Sequence, residues 1–190
     1  MKQLPPNFIV GIGGSAGGLA AYMTLLDAMP ADTGMAFVVV SHILPAANSQ
    51  LARILARCTT MKVVVAATAA RILANHVYVC PPNADLLIEG GTFEVVSPRT
   101  KRNTQVDVFL SSLAEAMGAR AIGIIMSGYD GDGTEGCVRI KAKGGTTFAQ
   151  DDSAQVSGMP LAARASGCID FVLPPAKMCD ELLRLSRTVT

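Results

Sequence analysis

The chain has 190 residues, a formal net charge of +1, 50% hydrophobic and 16% charged residues, and no Trp. That length suits one domain with a sizeable core. The near-neutral balance argues against a nucleic-acid footprint or a polybasic membrane surface, and no apolar run approaches the roughly 18 residues that span a bilayer. The opening stretch "MKQLPPNF" lacks the apolar segment of a signal peptide, which points to the cytoplasm. The five cysteines, Cys58, Cys80, Cys137, Cys168 and Cys179, form no CxxC pair and are read as reduced thiols acting as small hydrophobes. No Cys/His group has the spacing of a zinc site.

Apolar, β-branched runs alternate with helix-period segments. Residues 7–12 read as a strand, 17–28 as a helix, 35–41 as a strand and 49–57 as a helix. Short strands follow at 62–66 and 76–80. Residues 84–96 hold two strand-like runs around Gly90-Gly91, a hairpin signal. A helix is predicted at 105–117, with Asp107 near its start, then a strand at 121–126 and a helix at 133–143 that ends at Gly144-Gly145. A strand at 146–150, a short helix at 159–166, a last strand at 169–173 and a helix opened by Pro174-Pro175 complete the chain. Strand–helix alternation implies right-handed crossovers. The expected fold is one doubly wound α/β domain over residues 1–190. Its sheet is mostly parallel, with helices on both faces and an antiparallel hairpin near the middle.

Between the first strand and helix lies "VGIGGSAGGL", five glycines around a single hydroxyl. Such a turn cradles a phosphate, presents a nucleophile, or is simply a turn. The phosphate reading rests on Gly11-x-Gly13-x-x-Ala16, but the acidic residue expected at the tip of the second strand is missing; that tip is Ser41-His42. The mononucleotide loop requires Gly-Lys-Ser/Thr, and no lysine occurs between Lys2 and Lys62. The nucleophile reading rests on Gly13-x-Ser15-x-Gly17, followed by a helix whose free N–H groups face developing negative charge.

A serine nucleophile needs a base, and only His42 and His76 exist. In parallel sheets, sites collect at the carboxyl ends of strands. His42 lies at such an end, whereas His76 begins a strand and reads as structural. The orienting carboxylate would come from "SGYDGDGTEG" after the strand at 121–126, where Asp130 and Asp132 alternate with glycines. A calcium loop starting at Asp130 fails, because its sixth and twelfth places hold Glu135 and Lys141. A simple helix cap at Asp132 is the competing reading. The chain order Ser, His, Asp is not that of an α/β-hydrolase.

Five ordered blocks, "GIGGSAGG", "VVVSHILP", "VYVCPPNADLLIEGG", "IMSGYDGDGTEG" and "GMPLAARASGCIDFVLPP", resemble the catalytic domain of the chemotaxis protein-glutamate methylesterases, the CheB family. The version "PPNADLLIEGG" looks most like the methylesterase domains of hybrid methylesterase–methyltransferase sensor proteins. The resemblance implies a hydrolase that acts on glutamate γ-methyl esters of the cytoplasmic helices of methyl-accepting chemotaxis receptors. Some members also deamidate receptor glutamines. It implies Ser15 as nucleophile, His42 as base and Asp132 as orienting acid, with the backbone N–H groups of Ala16 and Tyr129 as the oxyanion hole and no metal or organic cofactor.

The chain departs from the family's pattern at three site positions. Ser41 stands where Gln is common, Tyr129 where Met is common, and Asp130 where Gly is usual. The sequence starts directly with the catalytic blocks, so the receiver switch typical of the family is expected to be either absent or supplied by another polypeptide, such as a separate receiver or methyltransferase domain. A docking or regulatory module with blunted chemistry is the alternative to an active esterase.

Overall fold

The computed structural model describes residues 4–42 and 45–187. In chain order the elements are β1 (Ile9–Gly14), α1 (Gly18–Ala28), β2 (Ala36–Ser41), α2 (Pro45–Leu55), β3 (Lys62–Val65), β4 (His76–Val79), β5 (Asp85–Glu89) and β6 (Thr92–Val96). There follow α3 (Gln105–Met117), β7 (Ala121–Ile125), α4 (Thr134–Ala142), β8 (Thr146–Gln150), α5 (Gly158–Ala165), β9 (Phe171–Leu173) and α6 (Pro175–Ser186). Seven strands form one sheet in the order β3-β4-β2-β1-β7-β8-β9, and every pairing in it is parallel. This is the doubly wound arrangement expected. The hairpin β5–β6 is a separate two-stranded sheet that joins the body through α3, where Ile88 N–H donates to Ser112 Oγ at 2.6 Å. Among the described residues no helix is long and apolar enough to cross a membrane.

Both faces of the sheet are buried, which explains the Val/Ile-rich strands. Val10, Ile12, Phe37 and Val39 face one cluster, closed by α1, α2 and α6. Ile9, Val38, Val40 and Ile125 face the other, closed by α3, α4, α5 and the hairpin. Gly11 and Gly13 set how closely α3 approaches. A Cβ on Gly11 would lie 2.5 Å from Leu110 Cδ2, and one on Gly13 would overlap Val106. The bare backbone of β1 therefore lets the N-terminal half of α3 lie directly on the strand that leads to Ser15.

β1 runs two residues beyond its predicted end, through Gly13 and Gly14. Glycine is a poor strand former. Here β2 and β7 pair with it from both sides, so tertiary pairing overrides local propensity. A 3-10 turn at Gly118–Arg120, absent from the sequence reading, links α3 to β7. His76 opens β4, where its Nδ1 bonds Ala74 O at 2.9 Å and its ring stacks on Tyr78, in keeping with a structural role.

Candidate active site

The sheet's chain connections run outward in opposite directions from β1 and β7, and at such a switch point the loops beyond the strand ends leave a crevice. Parallel register does the first positioning. Gly14 of β1 pairs with Ser41 of β2, and His42 N–H donates to Gly14 O at 3.3 Å. Ser15 and His42 are thus the next residues on adjacent strand tips, where parallel strands lie about 4.8 Å apart. On the other side of β1, Ser15 N–H donates to Ser127 O at 2.8 Å, which ties the serine to the loop after β7. Ile43 and Leu44, which complete the "VVVSHILP" block, lie outside the described residues.

The chain makes its turn into α1 at Gly17, whose φ of 76° a side chain would strain. Gly18 N–H donates to Ser15 O at 3.0 Å. The Ala16 and Tyr129 N–H groups have no acceptor among the described residues. Nor does the Ser15 hydroxyl make a hydrogen bond among the described residues.

Asp132 is the most firmly held member of the group. Its side chain is fully buried; Oδ2 accepts from Val106 N–H at 3.0 Å and Oδ1 from Asp107 N–H at 2.8 Å. These are free donors of the first turn of α3, so Asp132 caps a helix from outside it. Thr104, the N-cap by position, makes no capping bond of its own. The sequence reading had a helix cap as the alternative to a catalytic role for Asp132. The structure shows it capping α3, not the α4 it precedes, while also contacting His42 Nε2 at 2.5 Å. Burial alone would raise this carboxyl. The bonds from His42, Asp107 N–H and Val106 N–H outweigh that and hold it below the usual carboxylate range.

The capping is reciprocal. Asp107, in the first turn of α3, accepts from Gly136 N–H of α4 at 2.8 Å. Burial is the largest influence on the Asp107 carboxyl; its N–H bonds oppose the rise, the nearby charge of Asp132 adds to it, and the net result is a pKa pushed up to about 6. A carboxylate whose folded pKa lies above its unfolded value weakens the fold as it ionises. Its contribution to stability is therefore lost as pH rises from about 4 to about 6. The stability difference between wild type and Asp107→Asn, read from denaturant midpoints, is expected to move against wild type across that window. A flat difference would contradict the assignment.

Asp130 stands on the other side of the imidazole, with Oδ2 3.6 Å from His42 Nδ1. That is ion-pair distance and too long for a good hydrogen bond. The Asp130 side chain is 32% exposed, and its Oδ1 accepts from Asp132 N–H at 3.1 Å, which bends the loop. Tyr129 is 76% exposed at the mouth of the site.

Sequence reasoning missed Ser127. This fully buried residue donates from Oγ to Ala16 O at 2.7 Å and accepts there from Val156 N–H at 2.9 Å. With its carbonyl on Ser15 N–H, it clasps the glycine-rich loop from both sides. Gly128 N–H donates to Val156 O and Met159 N–H to Gly128 O, both at 2.9 Å, so the loop that carries Tyr129 is pinned as well. The only sequence signal for Ser127 was its place directly after a buried strand.

A family model described as CheB methylesterase matches residues 10–182. A protein-glutamate methylesterase/protein-glutamine glutaminase of Geobacter metallireducens is 37% identical over 181 residues, covering 92% of this chain and 50% of that protein. One of Bordetella pertussis is 33% identical over 183 residues, covering 92% and 52%. A relative in Leptospira interrogans is 32% identical over 180 residues, 93% of each chain. Among solved structures, the Thermotoga maritima CheB methylesterase catalytic domain superposes with a TM-score of 0.85 at 29% identity, covering 94% of this chain and 98% of that one.

Proposed function

Because the chain belongs to the CheB methylesterase family, we propose that it hydrolyses glutamate γ-methyl esters on the cytoplasmic helices of methyl-accepting chemotaxis receptors, releasing methanol. The observation that supports this most is the set of neighbours around His42: Ser15 on the adjoining strand tip, and a buried, ionised Asp132 on Nε2.

Asp132 already accepts two backbone N–H bonds and is held ionised, so Nε2 carries the imidazole proton and Nδ1 is left as the base. His42 Nδ1 takes the Ser15 proton as Oγ attacks the ester carbonyl. The Ala16 and Tyr129 N–H groups hold the oxyanion. His42 returns the proton to the methoxide, methanol leaves, and the same nitrogen activates the water that frees glutamate and Ser15. The amide of a receptor glutamine would follow the same route and release ammonia. Control by a receiver or methyltransferase domain belongs to the same reading.

The imidazolium formed during attack lies between two carboxylates. At 3.6 Å, a unit charge pair in water-like surroundings is worth about 1 kcal/mol. Asp130→Asn is therefore expected to lower kcat/KM several-fold. A faster variant would mean that Asp130 obstructs Nδ1 and gives it no support.

The proposal is tested by incubating the protein with a methylated receptor cytoplasmic fragment and following the fragment's intact mass. Loss of one methylene per site, with methanol in solution, is expected. Stoichiometric binding with unchanged mass would favour a docking module.

A further inference from the structure

Arg139, Lys141, Lys143, Arg164 and Arg184 have carboxylate partners, and the other lysines and arginines of the described chain stand without one among the described residues. The loop before α3 gathers three of these unpaired cations in one place. Arg99, Lys101 and Arg102 lie within four residues, and none of their side chains makes a hydrogen bond or ion pair among the described residues. Lys101 and Arg102 are exposed.

The loop is fixed in place. Asp85 is 2% exposed, and its Oδ2 accepts from Thr100 N–H at 2.8 Å and Thr100 Oγ1 at 2.6 Å. Its other oxygen has no partner among the described residues, so holding this loop is the carboxylate's whole hydrogen-bonding role there. Arg99 N–H donates to Asn83 O at 2.8 Å, and Gln105 Nε2 donates to Lys101 O at 3.0 Å. A solvated charge run does not need a buried carboxylate to set its shape.

The loop also opens beside the reaction. Arg102 precedes Val106 by four residues, and the Val106 N–H binds the same Asp132 oxygen that contacts His42. Four residues of chain reach about 14 Å at most. Side chains on a substrate helix one and two turns from the scissile ester lie about 5 and 11 Å away along its axis. The reaction turns a neutral ester into a glutamate carboxylate, so a receptor helix acted on at several glutamates presents negative charge around each remaining ester.

We propose that Arg99, Lys101 and Arg102 form the docking surface for acidic side chains flanking the scissile ester on the substrate helix. The proposal rests on the reading of the function given above. It assigns the loop to partner recognition and not to the chemistry, so its loss raises KM and leaves kcat alone.

The test compares wild type with Arg99→Glu/Lys101→Glu/Arg102→Glu, and with Lys101→Glu/Arg102→Glu, which changes only the exposed pair. Binding of a receptor fragment rich in glutamate, and of the same fragment with those residues changed to glutamine, is measured by calorimetry. Hydrolysis of p-nitrophenyl acetate is followed in parallel as a receptor-independent readout of the triad. Wild type is expected to bind the glutamate form about tenfold more tightly, with a preference that fades as salt is raised. The variants are expected to lose that preference and retain hydrolysis of the small ester. Equal binding of the two fragments by wild type would overturn the proposal, as would an unchanged preference in both variants. Retained, charge-dependent binding by a wild type that releases no methanol would instead contradict the functional reading and leave the docking surface standing.

Discussion

Ser15→Ala is expected to lower kcat for methyl ester hydrolysis by about 10⁶-fold, the scale seen when a triad nucleophile is removed, while leaving stability within about 0.5 kcal/mol of wild type. The Ser15 hydroxyl makes no hydrogen bond among the described residues, so its loss strands no buried partner. The backbone bonds of Ser15 to Ser127 and Gly18 survive the substitution. Its effect is therefore confined to chemistry. Steady-state methanol release and a denaturant titration on one preparation check both halves. Turnover near the wild-type rate would remove Ser15 from the mechanism.

Asp132→Ala has a broader effect because one carboxylate does two tasks. Without it, His42 loses the acceptor that fixes its tautomer, and kcat is expected to fall about 10⁴-fold. The Val106 and Asp107 N–H groups lose their acceptors at the start of α3. An orphaned buried donor costs about 1–3 kcal/mol, so the urea midpoint falls clearly below that of Ser15→Ala. Asp132→Asn does not rescue both tasks. Each carboxylate oxygen already faces a backbone N–H, so either orientation of the amide turns its NH₂ toward a donor. An Asp132→Ala protein as stable as wild type would contradict the cap, and one as active would contradict the triad.

The strand and helix order was legible because both faces of the sheet are covered, and buried strands read as dense apolar runs between helix-period segments. The clustering of Ser15, His42 and Asp132 at one end of the sheet was foreseeable for a related reason: each lies in the loop that follows such a run, where a parallel sheet collects its sites. The reach of β1 through Gly13-Gly14 was not, since it depends on partners 27 and 112 residues away. Nor was the crossed capping of α3 and α4. Asp107 and Asp132 each resemble a local helix-start residue, and only the close approach of the two helices directs each toward the other's first turn. Ser127 was invisible for the same reason. A serine after a buried strand is ordinary, and its role comes from a carbonyl and an amide supplied by two distant loops.

On the proposed function, the glycine turn presents an activated serine. The most direct test is to label the native protein with a fluorophosphonate, which phosphonylates serines activated by a neighbouring base, and to map the modified peptide by mass spectrometry. One adduct is expected, on Ser15, formed by wild type and by the loop charge variants and absent from His42→Ala. An unlabelled wild type, or label on another residue with Ser15 unmodified, would contradict the proposed function.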